Sequence, residues 1–135
     1  MERFEVNVLG CGSATPTMQH YPSSQVINVR DKLFMIDCGE GAQLQFRKSR
    51  LRFSRLNRIF ISHLHGDHCF GLIGLISTLD LLGRTGDIYI HAHADLETIL
   101  RPQINYFCRD LAFNVIIEPF STNKNEIIFE DRSVK

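Results

Sequence analysis

The chain has 135 residues, the size of one ordinary domain, and 44% of them are apolar, which is enough for a hydrophobic core. Fifteen basic and fifteen acidic residues give a formal net charge of zero, so overall charge favours neither nucleic acid nor an anionic membrane as a partner. The longest apolar stretch, residues 70–82, is too short to cross a bilayer. Composition therefore predicts one globular domain, residues 1–135, without a membrane span.

The four cysteines indicate the redox compartment. They are widely spaced and include no C-x-x-C pair. The N-terminus lacks the basic and apolar pattern of a signal peptide. These features predict a reduced, cytoplasmic protein.

The first half of the chain begins with short β-rich segments. Alternating or apolar runs predict strands over residues 4–9, 26–29 and 33–36, a helix over 42–48 and a buried strand over 58–62. Arg30, Asp31 and Lys32 form the predicted turn between the second and third strands. The chain thus opens as an antiparallel β unit, and its fourth strand leads directly to His63.

The second half mixes helices and strands. Residues 70–82 are apolar nearly all round and predict a covered helix that Gly83 ends. Asp95 is the predicted N-cap of a helix, and Pro102 is predicted in the first turn of a further helix through Cys108. Strands are predicted over 88–90 and 115–117.

The last segment predicts a hairpin. Residues 123–125 are a turn signal, 127–129 read as a strand, and 132–135 begin its partner. Since domains seldom end within a hairpin, we expect a truncated domain.

One short motif carries metal chemistry. Residues 63–68, HLHGDH, place three imidazoles and a carboxylate within six residues, between a buried strand and a helix. Imidazole nitrogen and carboxylate oxygen suit zinc, and manganese accepts the same atoms. The isolated His20, His91 and His93 are instead expected to be ordinary hydrogen-bonded residues. Because a bound metal acidifies water, the motif predicts hydrolysis, and two adjacent metals would suit a phosphodiester.

The H-x-H-x-D-H pattern resembles the metallo-β-lactamase superfamily, and three further motifs resemble ribonuclease Z within it. They are residues 10–17 (GCGSATPT), 37–45 (DCGEGAQLQ) and 71–75 (GLIGL). The resemblance implies an α/β fold: the N-terminal half of the metallo-β-lactamase αβ/βα sandwich, with a mixed sheet and helices on one face. It also implies a cytoplasmic endoribonuclease that removes the 3′ trailer of precursor tRNA and is a homodimer when intact.

The resemblance assigns roles to the motif. His63 and His65 would bind one zinc ion, Asp67 and His68 a second, and Asp67 would be the catalytic general base. The family's further ligands, two histidines and a bridging aspartate, have no counterpart here, and no histidine follows His93. We therefore expect poor zinc affinity and an inactive chain when it is alone.

Other residues leave alternatives open. Asp37 is expected to brace a tight turn beside the metal site. Ser13, Thr15 and Thr17 could contact substrate phosphate or cap their own loop. The six cations between residues 47 and 58 could contact phosphate or be ordinary surface residues.

One loop departs from the pattern of the family, and two other functions stay open. Met18, His20 and Tyr21 stand where many relatives carry lysine, arginine and asparagine in a loop that sets the cleavage position, so this position stays open. One rival is a hydrolase of small molecules from the same superfamily. The other is a metal-poor chain that only folds or pairs with another half.

Overall fold

A computed structural model describes residues 2–135 and contains one six-stranded mixed sheet. Its strand order follows the sequence. The strands are β1 (Phe4–Gly10), β2 (Ser24–Val29), β3 (Lys32–Ile36), β4 (Leu56–Phe60), β5 (Ile88–Ala92) and β6 (Val115–Pro119). β1 to β3 pair antiparallel, and β3 to β6 pair parallel. Arg30 and Asp31, both with positive φ, make the tight turn between β2 and β3.

Helices cover one face of this sheet. They are α1 (Ala42–Lys48), α2 (Gly66–Cys69), α3 (Leu72–Leu81) and α4 (Asp95–Phe107), and a 3₁₀ turn spans Phe53–Arg55. Their apolar side chains share one buried core with the strands, including Phe46, Leu75, Ile76, Leu100 and Ile104 from the helices and Val26, Met35, Ile59, Ile90 and Val115 from the sheet. The predicted α/β class, with a mixed sheet and helices on one face, is confirmed. No helix within residues 2–135 is long and apolar enough to cross a membrane.

The predicted C-terminal hairpin is wrong. Residues 125–135 contain no strand, and Phe129 lies on the sheet face away from the helices. Its ring centroid is 6.1 Å from that of Phe34 and 6.3 Å from that of Phe60. The segment therefore contributes side-chain contacts to this face instead of backbone pairing with a neighbouring strand.

The predicted break near Pro102 is also wrong. One helix, α4, includes Pro102 in its interior, and Asp95 is its first residue instead of its N-cap. Leu96, Leu100 and Ile104 recur every four residues and are buried in the core. Their packing stabilises a continuous helix despite the hydrogen bond that proline cannot donate.

Gly83 ends α3 as predicted, in a left-handed conformation with φ of 80°. We expect Gly83→Ala to lower the free energy of unfolding by about 1 kcal/mol, because L-residues are strained at this φ. Gly86→Ala is the matched control: neither added Cβ meets an atom within 4 Å, and only Gly83 has positive φ. Urea denaturation of both variants tests this, and equal losses would contradict the explanation.

Candidate metal site

The HLHGDH motif follows the C-terminal end of β4, within the parallel part of the sheet. The backbone N–H of Asp37, just after β3, donates to the carbonyl of Phe60 at 2.8 Å, and the N–H of Ile61 donates to the carbonyl of His91 at 2.8 Å. The loop therefore leaves the sheet at its carboxyl edge, where open α/β sheets bind ligands.

The four predicted ligands lie together in this loop. The ring centroid of His63 is 4.6 Å from that of His65 and 4.0 Å from that of His68. His68 Nε2 is 3.2 Å from Asp67 Oδ2, and both of these side chains are largely buried. The two pairs assigned from sequence are thus adjacent, with His63 and His65 on the more exposed side.

Asp37 braces the loop from beneath. Its Oδ1 accepts the backbone N–H of Ser62 at 2.8 Å, and its Oδ2 accepts the Ser62 hydroxyl at 3.0 Å. The same Oδ2 is 2.7 Å from Nδ1 of His68. With Nδ1 as the donor to this carboxylate, Nε2 is the nitrogen left with a lone pair on the side of Asp67.

Glycines bring the 37–45 motif against the metal loop. A Cβ on Gly39 would lie 2.8 Å from the carbonyl oxygen of Asp67, and one on Gly71 would lie 2.2 Å from that of Gly39. The backbones also bond directly: Cys38 N–H donates to His68 O at 2.8 Å, and Gly71 N–H donates to Cys38 O at 2.9 Å. The helix predicted over residues 70–82 is present as α3, which begins directly after Gly71.

The four side chains are of the types that bind zinc, but they are too few to complete two zinc sites. Across residues 2–135, no group of three or more His, Cys, Asp or Glu side chains is placed to hold a metal ion. The two assigned pairs, His63 with His65 and Asp67 with His68, give two donors per zinc, short of the usual tetrahedral set. The nearby thiol of Cys38 is buried, which raises its pKa to about 12.

The three hydroxyl residues proposed for substrate contact lie in an exposed loop after β1. Thr17 Oγ1 accepts the backbone N–H of His20 at 3.1 Å, which is a loop-capping contact. The side-chain hydrogen bonds of this loop involve Cys11, Thr17 and His20, so a contact of Ser13 or Thr15 with substrate stays a prediction. The end of this loop reaches the 37–45 motif, because a Cβ on Gly41 would lie 2.5 Å from the Tyr21 ring.

The isolated histidines do not join the four ligands. His91, in β5, is buried. Its Nε2 lies 3.0 Å from Arg58 Nη1, and its ring stacks on that of Phe60 with the ring centroids 4.6 Å apart. His93 is exposed and accepts the backbone N–H of Asp95 at 3.1 Å. His93 also lines a pocket of about 280 Å³ with His63 and His65.

The environment of His91 predicts a pH dependence of stability. Burial, and then the charge of Arg58, lower the pKa of His91, and Glu118 only partly opposes them. The unfolded chain therefore binds this proton more readily, so stability should fall as pH drops below about 6.5. We expect His91→Gln, whose carbonyl can still accept from Arg58, to lose less stability than wild type between roughly pH 7 and 5 in urea titrations. Equal losses would contradict the role of His91.

Comparison with known proteins identifies the family. Residues 4–105 match the family model described as Anti-Pycsar protein Apyc1. The chain belongs to this family. The resemblance to ribonuclease Z is confirmed as well: the chain is 63% identical over 134 residues to ribonuclease Z of Phocaeicola vulgatus, covering 99% of the chain and 43% of that protein. Ribonuclease Z of Porphyromonas gingivalis ATCC 33277 is 56% identical over 135 residues, covering 100% of the chain and 44% of that protein.

Solved structures confirm the metallo-β-lactamase fold for this Apyc1 family member. The short form of human tRNase Z superposes with a TM-score of 0.77 and 34% identity, over 88% of the chain and 45% of that structure. The metallo-β-lactamase-fold protein YhfI of Bacillus subtilis gives 0.64 and 22%, over 88% and 46%, which shows the fold alone. The chain thus spans less than half the length of these relatives and matches the N-terminal part of ribonuclease Z.

Proposed function

We propose that residues 63–68 form half of the two-zinc site of an endoribonuclease that removes the 3′ trailer of precursor tRNA. The observation that supports this most strongly is the position of His68 between two carboxylates, with Nδ1 on Asp37 and Nε2 toward Asp67. Histidine ligands of metals are commonly oriented in this way by a carboxylate on the second nitrogen. The high identity to proteins named ribonuclease Z supports the choice of RNA as substrate.

Each residue of the site has a separate role in the proposal. His63 and His65 hold one zinc ion, Asp67 and His68 hold the other, and Asp37 fixes the His68 ring. Zinc in such a site lowers the pKa of bound water and stabilises charge on a phosphodiester. In the proposal, the Asp67 carboxylate, which is partly buried beside His68, would accept the proton of the attacking water.

The remaining zinc ligands lie outside this chain in the proposal. Residues 1–135 constitute one metallo-β-lactamase-fold domain that lacks its C-terminal half, and they are inactive alone. The intact protein is cytoplasmic and homodimeric, and its two zinc ions take their other donors from the second half.

Zinc content and cleavage together test the proposal. The chain is purified alone and mixed with the C-terminal part of Phocaeicola vulgatus ribonuclease Z that lies beyond the matched residues. We expect little zinc by elemental analysis and no cleavage of precursor tRNA from the chain alone, and both zinc and cleavage after mixing. Stoichiometric zinc with activity from the chain alone would contradict the half-site.

A second candidate is a hydrolase of small phosphodiesters or lactones. The matching family model carries a name different from ribonuclease Z, which makes this alternative worth a direct test. The mixed protein is therefore also assayed with bis(4-nitrophenyl) phosphate and a simple lactone. Turnover of these compounds without cleavage of tRNA would support the alternative, and absence of zinc from the mixture would support a chain that only folds or pairs.

A further inference from the structure

Five exposed cations lie between the last turn of α1 and the start of β4. We call them the α1–β4 basic patch: Arg47, Lys48, Arg50, Arg52 and Arg55. None of them forms an ion pair within residues 2–135, although several cations elsewhere do, for example Arg30 with Glu2 at 2.7 Å and Arg101 with Glu97 at 2.7 Å. No acidic residue occurs between Gly41 and Gly66 to offset them in sequence. The patch is therefore a local positive surface on a chain of zero net charge.

Helix electrostatics explain only part of this patch. Arg47 and Lys48 occupy the last turn of α1, where cations compensate the negative end of the helix dipole. Arg50, Arg52 and Arg55 lie beyond that turn and have no such role. These three instead line a cleft of about 370 Å³, together with the polar side chains of Asn7 and Asn28.

The cleft stays positive despite two acids in its wall. Glu5 and Asp31 also line it, and Arg3 forms an ion pair with each of them, at 3.5 Å and 3.2 Å respectively. One of the two negative charges remains after Arg3 is counted, against three free arginines. Guanidinium groups bind phosphate oxygens in bidentate geometry, so the cleft suits a phosphate group.

The patch lies at the end of the sheet opposite the metal loop. β4 leads from Arg55 to the loop, and its five residues separate the two by roughly 17 Å at about 3.3 Å per residue. A mononucleotide cannot contact both places at once. A folded RNA can, because its backbone presents many phosphates over a large surface.

We propose that the α1–β4 basic patch binds the phosphate backbone of the RNA substrate, remote from the scissile bond. This inference rests on the proposed function and adds a second substrate contact to it. Phosphate contacts of this kind fix the position of the RNA without reading its sequence.

The test compares two charge-matched triple variants of this chain. The patch variant carries Arg50→Gln, Arg52→Gln and Arg55→Gln, and the control carries Arg109→Gln, Lys124→Gln and Lys135→Gln, three exposed cations outside the patch. Binding of fluorescent precursor tRNA is measured by anisotropy over a range of salt. We expect the patch variant to bind about tenfold more weakly or worse, with a salt slope reduced by roughly two, and the control to change by less than about twofold.

Each other outcome has a distinct meaning. Equal weakening in both variants, or none in the patch variant, overturns the patch assignment and leaves the proposed function standing. Tight binding of inorganic pyrophosphate that is lost in the patch variant, while tRNA binding is unchanged, assigns the cleft to a small phosphate ligand and overturns the patch assignment. If wild type binds no precursor tRNA, the inference falls, and cleavage by the mixed protein shows whether the proposed function falls with it.

Discussion

Replacing Asp67 with alanine is expected to abolish precursor tRNA cleavage by the mixed, two-part protein while leaving most of the fold intact. The substitution removes a proposed zinc ligand and the proposed base together. Loss of a general base alone costs roughly 100-fold to 10,000-fold, so we expect a decrease of at least about 1,000-fold. Asp67 is not one of the apolar core residues, so its removal takes no hydrophobic side chain from the core and the fold should persist.

Single-turnover cleavage and thermal melting are measured for the Asp67→Ala protein and a control. Glu40→Ala is the matched control, because Glu40 is an exposed carboxylate in the neighbouring 37–45 motif. Its cleavage rate should stay near that of wild type. Retained cleavage in Asp67→Ala would remove this residue from the proposed chemistry.

Asp37→Ala should damage both stability and zinc binding. The buried carboxylate accepts from Ser62 and faces His68, so its removal leaves these partly buried donors without that partner. Its φ of 60° adds strain for alanine, and we expect a total loss of about 3 kcal/mol in urea denaturation. Zinc affinity of the two-part protein should fall about 10-fold to 100-fold, because the His68 ring loses its orientation.

Asp37→Asn separates these two effects. Asparagine tolerates positive φ and its carbonyl can still accept from the Ser62 amide, so much of the stability should be retained. Its amide hydrogens, however, favour the His68 tautomer with the proton on Nε2, which opposes metal binding. Zinc affinity, measured by competition with a chromophoric chelator, should therefore fall nearly as far as in the alanine variant. Wild-type affinity would contradict the bracing role.

The sequence predicted where the candidate site lies better than it predicted the contacts that hold the site in place. The spacing within HLHGDH was sufficient to group the four ligands, since they are close along the chain. Ser62 as a partner of Asp37 was not predicted, because the contact joins residues 25 positions apart and depends on the pairing of β3 with β4. The glycine-rich 37–45 motif was recognised by resemblance, and only its contacts with Asp67 and His68 explain its shape.

The fold errors have similar physical causes. Pro102 signalled a helix start, yet the periodic burial of Leu96, Leu100 and Ile104 outweighs one missing hydrogen bond. The apolar residues 127–129 have strand-like composition, but Phe129 packs against Phe34 and Phe60 on the sheet face. In both cases tertiary packing, which local patterns do not report, decided the outcome.

The sequential strand order has a consequence for how the molecule is made. Every strand pairs with its neighbour in sequence, so no strand has to wait for a partner that is synthesised later than the next strand. The metal loop lies between the fourth and fifth of six strands, and its brace, Asp37, is synthesised before it. Within this chain, the residues that hold the loop, Asp37 and Ser62, are thus synthesised before the histidines that follow them.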